Sequence, residues 1–171
     1  MTEDFCKETD NRNTTCQSNC KQPGSGSSGG DVQSRLIGYY EAWNWKKNCI
    51  GMQLKDIPVS SITHLHYSFA YISPESYEIT TMDDTIPVDL FSGITSLKTQ
   101  NPDLKVIVSL GGWTFNDNGT STQSVFGEIA GDSANRAKFI NNLLDFMDNY
   151  GFDGTWTCIY HPYDSSKPLK N

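Results

Sequence analysis

A chain of 171 residues is long enough to bury the core of one ordinary globular domain. Its net charge of -7 and pI near 4.8 exclude a nucleic-acid or anionic-membrane surface, because those partners need clustered Lys and Arg. No apolar run is long enough to span a bilayer, and the N-terminus MTEDFCKETDN is too charged to read as a signal peptide.

The first segment, residues 1–22, is small and polar, lacks the apolar periodicity of a helix or strand, and crowds Cys6, Cys16 and Cys20 together. That pattern suits a disulfide-stapled secreted module; a plain polar tail is the alternative. Zinc needs four ligands at suitable spacing, and the segment offers three cysteines and no histidine, so no metal is expected. With Cys49 and Cys158 the cysteines total five, so at least one thiol is free or pairs with another chain. The triplets Asn13-Thr14-Thr15 and Asn118-Gly119-Thr120 are N-glycosylation acceptors and point the same way, to an extracellular parent protein. Residues 23–34, which open with PGSGSSGGD, form a Gly/Ser linker with few side chains from which to build a core.

After the linker, strand and helix patterns alternate. Leu36 to Glu41 reads as a short buried strand, Met52 to Ile57 as a short helix, and Ile62 to Ile72 as a second strand rich in β-formers. Pro87 to Gln100 reads as a helix with Pro in its first turn and Val88, Phe91, Ile94 and Leu97 along one face. Lys105 to Leu110 (KVIVSL) is a continuous branched run, as in a strand of a parallel sheet. A further helix is capped by Asp132 or Ser133, carries Ala137, Ile140, Leu143, Leu144 and Met147 on its apolar face, and stops at Gly151. Phe152 then opens a fourth strand. Strands separated by helices give parallel pairing with right-handed crossovers, so the fold class is α/β.

The strand ends carry recognisable motifs: Gly38-Tyr39-Tyr40 with Trp43 just beyond, Tyr67-Ser68-Phe69-Ala70, Ser109-Leu110-Gly111-Gly112-Trp113, and Tyr150-Gly151-Phe152-Asp153-Gly154. In this order they resemble glycoside hydrolase family 18, the chitinases. The resemblance implies a (βα)₈ TIM barrel, which takes about 250 residues, so residues 35–154 correspond to its first half and 155–171 read as an irregular tail unlike the family. It also implies a substrate-assisted retaining mechanism on β-1,4-linked N-acetylglucosamine polymers, in which the sugar's own N-acetyl oxygen attacks the anomeric carbon. The family's fourth strand reads Asp-Gly-x-Asp-x-Asp-x-Glu. Here Asp153 and Gly154 match, and the two inner aspartates and the acid are replaced by Trp156, Cys158 and Tyr160. A tyrosine titrates near 10 and cannot cycle as acid and base at neutral pH, so no catalytic residue is assigned.

By the same correspondence Tyr39 and Ser109 resemble the hydrogen-bonding partners of the inner aspartates, Phe69 the aromatic floor under the scissile sugar, and Trp113 the platform for the next sugar, with Gly111 and Gly112 between. His64 and His66 face one side of a strand, but no third ligand stands at usable spacing, so they read as a packed or solvent-facing pair. Ahead of the linker, DFCKETDNRNTTCQSNC resembles the end of a hevein-type chitin-binding module, which implies a Cys16–Cys20 disulfide and a fungal parent. Taken together, the sequence reads as a truncated, catalytically inactive product of a chitinase gene; the alternative is a catalytically dead chitin-binding lectin. Its expected partners are chitin or chito-oligosaccharides and, through exposed barrel edges, other copies of itself, with no nucleic acid, membrane or cofactor.

Overall fold

The computed structural model describes residues 6–8, 14–16, 35–45, 47 and 51–158. Asn13, Cys20, Cys49, the linker 23–34 and Tyr160 lie outside the described residues. Two short strands form in the first segment, where the sequence offers no periodicity: β1 (Cys6–Glu8) pairs antiparallel with β2 (Thr14–Cys16), and the backbone register sets Cys6 across from Cys16.

The main body is one sheet. Strands β3 (Ile37–Glu41), β4 (His64–Ile72), β6 (Lys105–Gly111) and β7 (Gly154–Cys158) lie side by side in that order, all parallel, and β5 (Ile79–Thr81) turns back antiparallel on the end of β4. Spatial order equals chain order, so successive crossovers run the same way and place their helices on one face of the sheet. A doubly wound sheet reverses direction part-way; this winding is that of a barrel wall.

The covered face holds the core. Tyr40, Leu65, Tyr67, Val106 and Val108 are buried against α1 (Asp89–Ser96) and α3 (Ser133–Tyr150), whose contributions centre on Phe91, Ile94 and Phe146. Aromatic rings join the layers: Tyr67 to Phe91 and Phe91 to Phe146 are each 4.9 Å between centroids, and Phe152 stacks on Phe146 at 5.5 Å. Burial pushes the Tyr67 hydroxyl far above its ordinary pKa, and that oxygen has no hydrogen-bond partner among the described residues. The opposite face, a barrel's interior, is open: Ile37, Tyr39 and Trp156 are all exposed there.

The helix expected over Met52–Ile57 is a single 3₁₀ turn, Leu54–Asp56, because Pro58 disfavours helical backbone at Ile57, which is extended. The helix expected to Gln100 ends at Ser96 and tightens into a 3₁₀ turn at Leu97–Thr99. Phe91, Ile94 and Leu97 are buried as expected; Val88 is not, because it caps the helix and stands before the first contact with the sheet. Asp132 caps α3, its Oδ1 accepting from the amides of Ala134 and Asn135 at 2.8 and 2.9 Å, and Gly151 closes it at φ 75°.

The face of α3 is rotated from the expected one. Ala137, Ile140 and Leu144 are exposed, while Phe139, Leu143, Phe146, Met147 and Tyr150 make the contact. The large rings of Phe146 and Tyr150 dock on Phe91 at 4.9 and 5.3 Å, and that docking sets which side of the helix faces inward. A short helix, α2 (Val125–Gly131), has no counterpart in the sequence reading, because its two glycines weaken helix propensity; buried Val125 and Ile129 anchor it, with Phe126 against Phe115 at 5.3 Å. The tail drawn from residue 155 is also corrected: residues 155–158 continue as β7, in register with β6 from Ile107↔Gly154 to Gly111↔Cys158.

Candidate functional site

Barrel sites are assembled where parallel strands end, and here the ends of β3, β4 and β6 converge on a cavity of ≈ 350 Å³. A register shift between Ser68 and Ala70 takes Phe69 out of the β4 ladder and re-aims its ring. Trp43, in the 3₁₀ turn Ala42–Asn44 that follows β3, stacks on Phe69 at 6.0 Å and 14°. Tyr71 and Met82 extend this wall, and Gly111 to Thr114 form the other.

The glycines are required by this packing. Gly111 and Gly112 have φ of 90° and 97°, and a Cβ on Gly112 would stand 2.9 Å from the Phe69 ring. The Gly112 carbonyl accepts from Asn116 Nδ2 at 2.8 Å, which holds the loop against the sheet, while Trp113 is left 61% exposed at the rim. Phe69, Gly111, Gly112 and Trp113, all singled out from sequence, thus line one hollow. Trp43 and Tyr71 complete it. Trp43 stands in the first strand-end motif of the sequence but carries no assigned role there; Tyr71 reads as core. A larger hollow of ≈ 460 Å³, lined by Tyr40, Trp45, Leu54 and Leu90 among others, lies on the helix-covered side and gathers no comparable ring of strand ends.

Tyr39 and Ser109 do not line the cavity. They belong to the sheet's open face, joined through His66: its Nδ1 is hydrogen-bonded to Ser109 Oγ at 3.3 Å, and its ring lies 4.7 Å from that of Tyr39. Burial, reinforced by the neighbouring His64, holds the His66 imidazole below its ordinary pKa and so in its neutral form. His64 is engaged by Thr63 Oγ1 at 2.9 Å, so each histidine has a hydroxyl partner. Among the described residues no group of three His, Cys, Asp or Glu side chains could hold a metal ion, and no helix is long and apolar enough to cross a membrane.

The register row Glu41, Ser68, Ser109, Trp156 crosses all four parallel strands. Trp156 thus stands beside Ser109 where an inner carboxylate is expected, and its indole is 57% exposed rather than forced into a closed interior. A carboxylate does occur on this row: Glu41 accepts a hydrogen bond from Asn44 Nδ2. Ser68 Oγ and Asn44 Oδ1 are buried without hydrogen-bond partners among the described residues.

Asp153 acts elsewhere. It precedes β7, at the end of the sheet away from the cavity, where its Oδ2 accepts from the Val106 amide at 2.8 Å and pairs with Lys98 Nζ at 3.1 Å. Gly154 next to it lies so close to Ile107 that a Cβ would stand 3.2 Å from Cδ1. Both residues are parts of the strand's anchoring.

The sequence profile of Glycosyl hydrolases family 18 matches residues 35–155. An Endochitinase of Manduca sexta is 29% identical over 72% of this chain and 22% of its own length. A Probable chitinase LysM18 of Penicillium expansum is 30% identical over 90% of this chain and 11% of its own. Among solved structures, human YKL-39, described as a pseudo-chitinase with retained chitooligosaccharide binding properties, superposes with a TM-score of 0.62 at 31% identity, over 75% of this chain and 33% of that one. The chain therefore spans a third or less of the length of each of these three proteins.

Proposed function

Because the chain belongs to glycosyl hydrolases family 18, we propose that it binds oligomers of β-1,4-linked N-acetylglucosamine, the fragments of chitin, in the cavity at the strand ends and does not hydrolyse them. The observation that carries this reading is the wall of stacked Trp43 and Phe69 facing the exposed Trp113 across Gly111 and Gly112. Flat aromatic faces suit the apolar faces of sugar rings, and the positive φ angles of the glycines keep the floor clear between them. Binding without cleavage follows from the replacements at the strand that should carry the acid. Trp156, Cys158 and Tyr160 supply no carboxylate to donate a proton to the leaving oxygen or to steady an oxazolinium ring. The whole protein of which this sequence is characteristic would act on chitin outside the cell, a setting that the cysteines and the two glycosylation triplets support.

A second copy of the chain is the other partner in this reading. Among the described residues β3 and β7 each pair on one side only, and Ile37, Tyr39 and Trp156 lie exposed between them. Titration of the full chain with chito-oligosaccharides, followed by tryptophan fluorescence, tests the main proposal. Saturable binding is expected, weakened about tenfold or more by Trp113→Ala, since a stacking aromatic typically contributes at least ~1.4 kcal/mol. A folded chain that shows no saturation at millimolar sugar would remove the binding half of the proposal; release of new reducing ends would remove the other.

A further inference from the structure

The loop that carries Trp113 continues through the 3₁₀ turn Thr114–Asn116 to the triplet Asn118-Gly119-Thr120. Such triplets occur by chance in many chains, and what separates a usable acceptor from a buried one is the surroundings of the side-chain amide. Here Asn118 is exposed. Its Oδ1 accepts from Gln123 Nε2 at 2.8 Å, while its Nδ2, the atom that would be modified, makes no hydrogen bond among the described residues. Gly119 has φ 82°, and a Cβ built there would meet nothing within 4 Å, so the space around the acceptor is open. Thr120 Oγ1 donates to the Asp117 carbonyl at 2.8 Å and the Gly119 amide donates to Gln123 Oε1 at 3.0 Å, so the turn closes on its inner side and leaves the amide nitrogen outside.

We propose that Asn118 is an N-glycosylation site, rooted on the same loop as the aromatic rim of the cavity. In the transfer, the Asn118 amide nitrogen attacks the anomeric carbon of an oligosaccharide carried on a lipid pyrophosphate. The new C–N bond forms as the C–O bond to pyrophosphate breaks, the lipid pyrophosphate leaves, and the amide gives up one proton to a base of the transferring enzyme. Transfer needs the triplet extended, so it precedes closure of the Thr120–Asp117 turn; the folded turn then holds the glycosylated nitrogen in solvent rather than against the core. The site rests on the extracellular reading and is independent of sugar binding in the cavity.

The test is to translate the full chain behind a secretion leader in the presence of eukaryotic microsomes, which delivers it to the compartment of transfer whatever its natural route. The product is split between heavy-oxygen water with a peptide N-glycosidase and heavy-oxygen water without it, and read by peptide mass spectrometry, so that label gained only with the enzyme marks conversion of glycosylated Asn118 and label gained in both marks spontaneous deamidation of Asn-Gly. The expected result is heavy-labelled Asp at position 118, abolished by Asn118→Gln and by Thr120→Ala and retained by Thr120→Ser, which keeps both the triplet and the hydroxyl. Glycan found at Asn13 alone, or an Asn118 peptide without label in imported chain, would overturn the assignment.

Discussion

Asp153 is the first residue of the strand motif associated with catalysis in this family, yet its position makes it a brace, and that assignment can be measured. In Asp153→Ala the Val106 amide loses its 2.8 Å acceptor inside a residue that is fully buried. Leaving such a donor unsatisfied costs ~1–3 kcal/mol. The Lys98 ion pair adds little, about 0–1 kcal/mol, because its side chains are 30% and 24% exposed and Lys98 keeps the Gly151 carbonyl at 2.6 Å. The sum is about 1–4 kcal/mol, which for a chain of this size lowers Tm by roughly 2–16 °C. Asp153→Asn keeps a neutral acceptor and should lose only about 1 kcal/mol, since charge-assisted hydrogen bonds are roughly twice as strong as neutral ones. Urea unfolding followed by far-UV circular dichroism should therefore rank wild type above Asn above Ala, with midpoints moving at constant slope. The affinity of the folded Asn variant for chito-oligosaccharides should stay unchanged, because residue 153 lies at the opposite end of β7 from the cavity. An Ala variant within about 0.5 kcal/mol of wild type, the scatter of ordinary surface substitutions, would refute the brace.

Gly112→Ala should destabilise by about 2–5 kcal/mol, adding strain at φ 97° to a clash with the Phe69 ring, and should shift the fluorescence of Trp43, which stacks on that ring; unchanged stability would contradict the close approach. His66, held below its ordinary pKa by burial, binds fewer protons folded than unfolded. Its contribution to stability is therefore complete above the unfolded value of about 6.5 and lost as pH falls through the lower folded value. His66→Gln should flatten stability over that window, and an NMR titration midpoint of His66 at about 6.5 would remove the effect and one above it would reverse the sign. Tyr160→Glu alone should yield no hydrolysis of chito-oligosaccharides, because Trp156 and Cys158 still occupy the inner carboxylate positions; measurable turnover by that variant would show the site to be one substitution from activity.

The parallel strands were legible because each is a compact run of branched and aromatic residues, β6 above all, and the limits of α3 because a cap and a terminal glycine mark them. What was not legible depended on partners far away in sequence. Nothing within α3 shows that Phe146 and Tyr150, rather than Ile140 and Leu144, face inward; the rings of Phe91 and Phe152 settle that. The cavity was half legible for the same reason. Phe69, Gly111, Gly112 and Trp113 sit in short motifs, whereas Tyr71 joins the wall only because β4 shifts register beside it. The motif's first aspartate shows the reverse limit, since its place in a catalytic pattern conceals a carboxylate that serves Val106 and Lys98.

The fourth strand separates fold from chemistry. Thr155, Trp156 and Thr157 are β-formers, and β6 offers them an unpaired edge, so the strand extends to Cys158 although none of its residues carries a carboxylate. A barrel strand needs alternating side chains that tolerate the pleat and a neighbour to pair with; it does not need the acids that the family mounts on its inner face. Losing those acids therefore need not unmake the wall that positions the aromatics. Conversely, the aromatic cavity draws on the ends of β3, β4 and β6 and on nothing in β7. In the proposed reading, recognition and cleavage reside on different strands of the same wall, which is the physical reason a chain could keep one without the other.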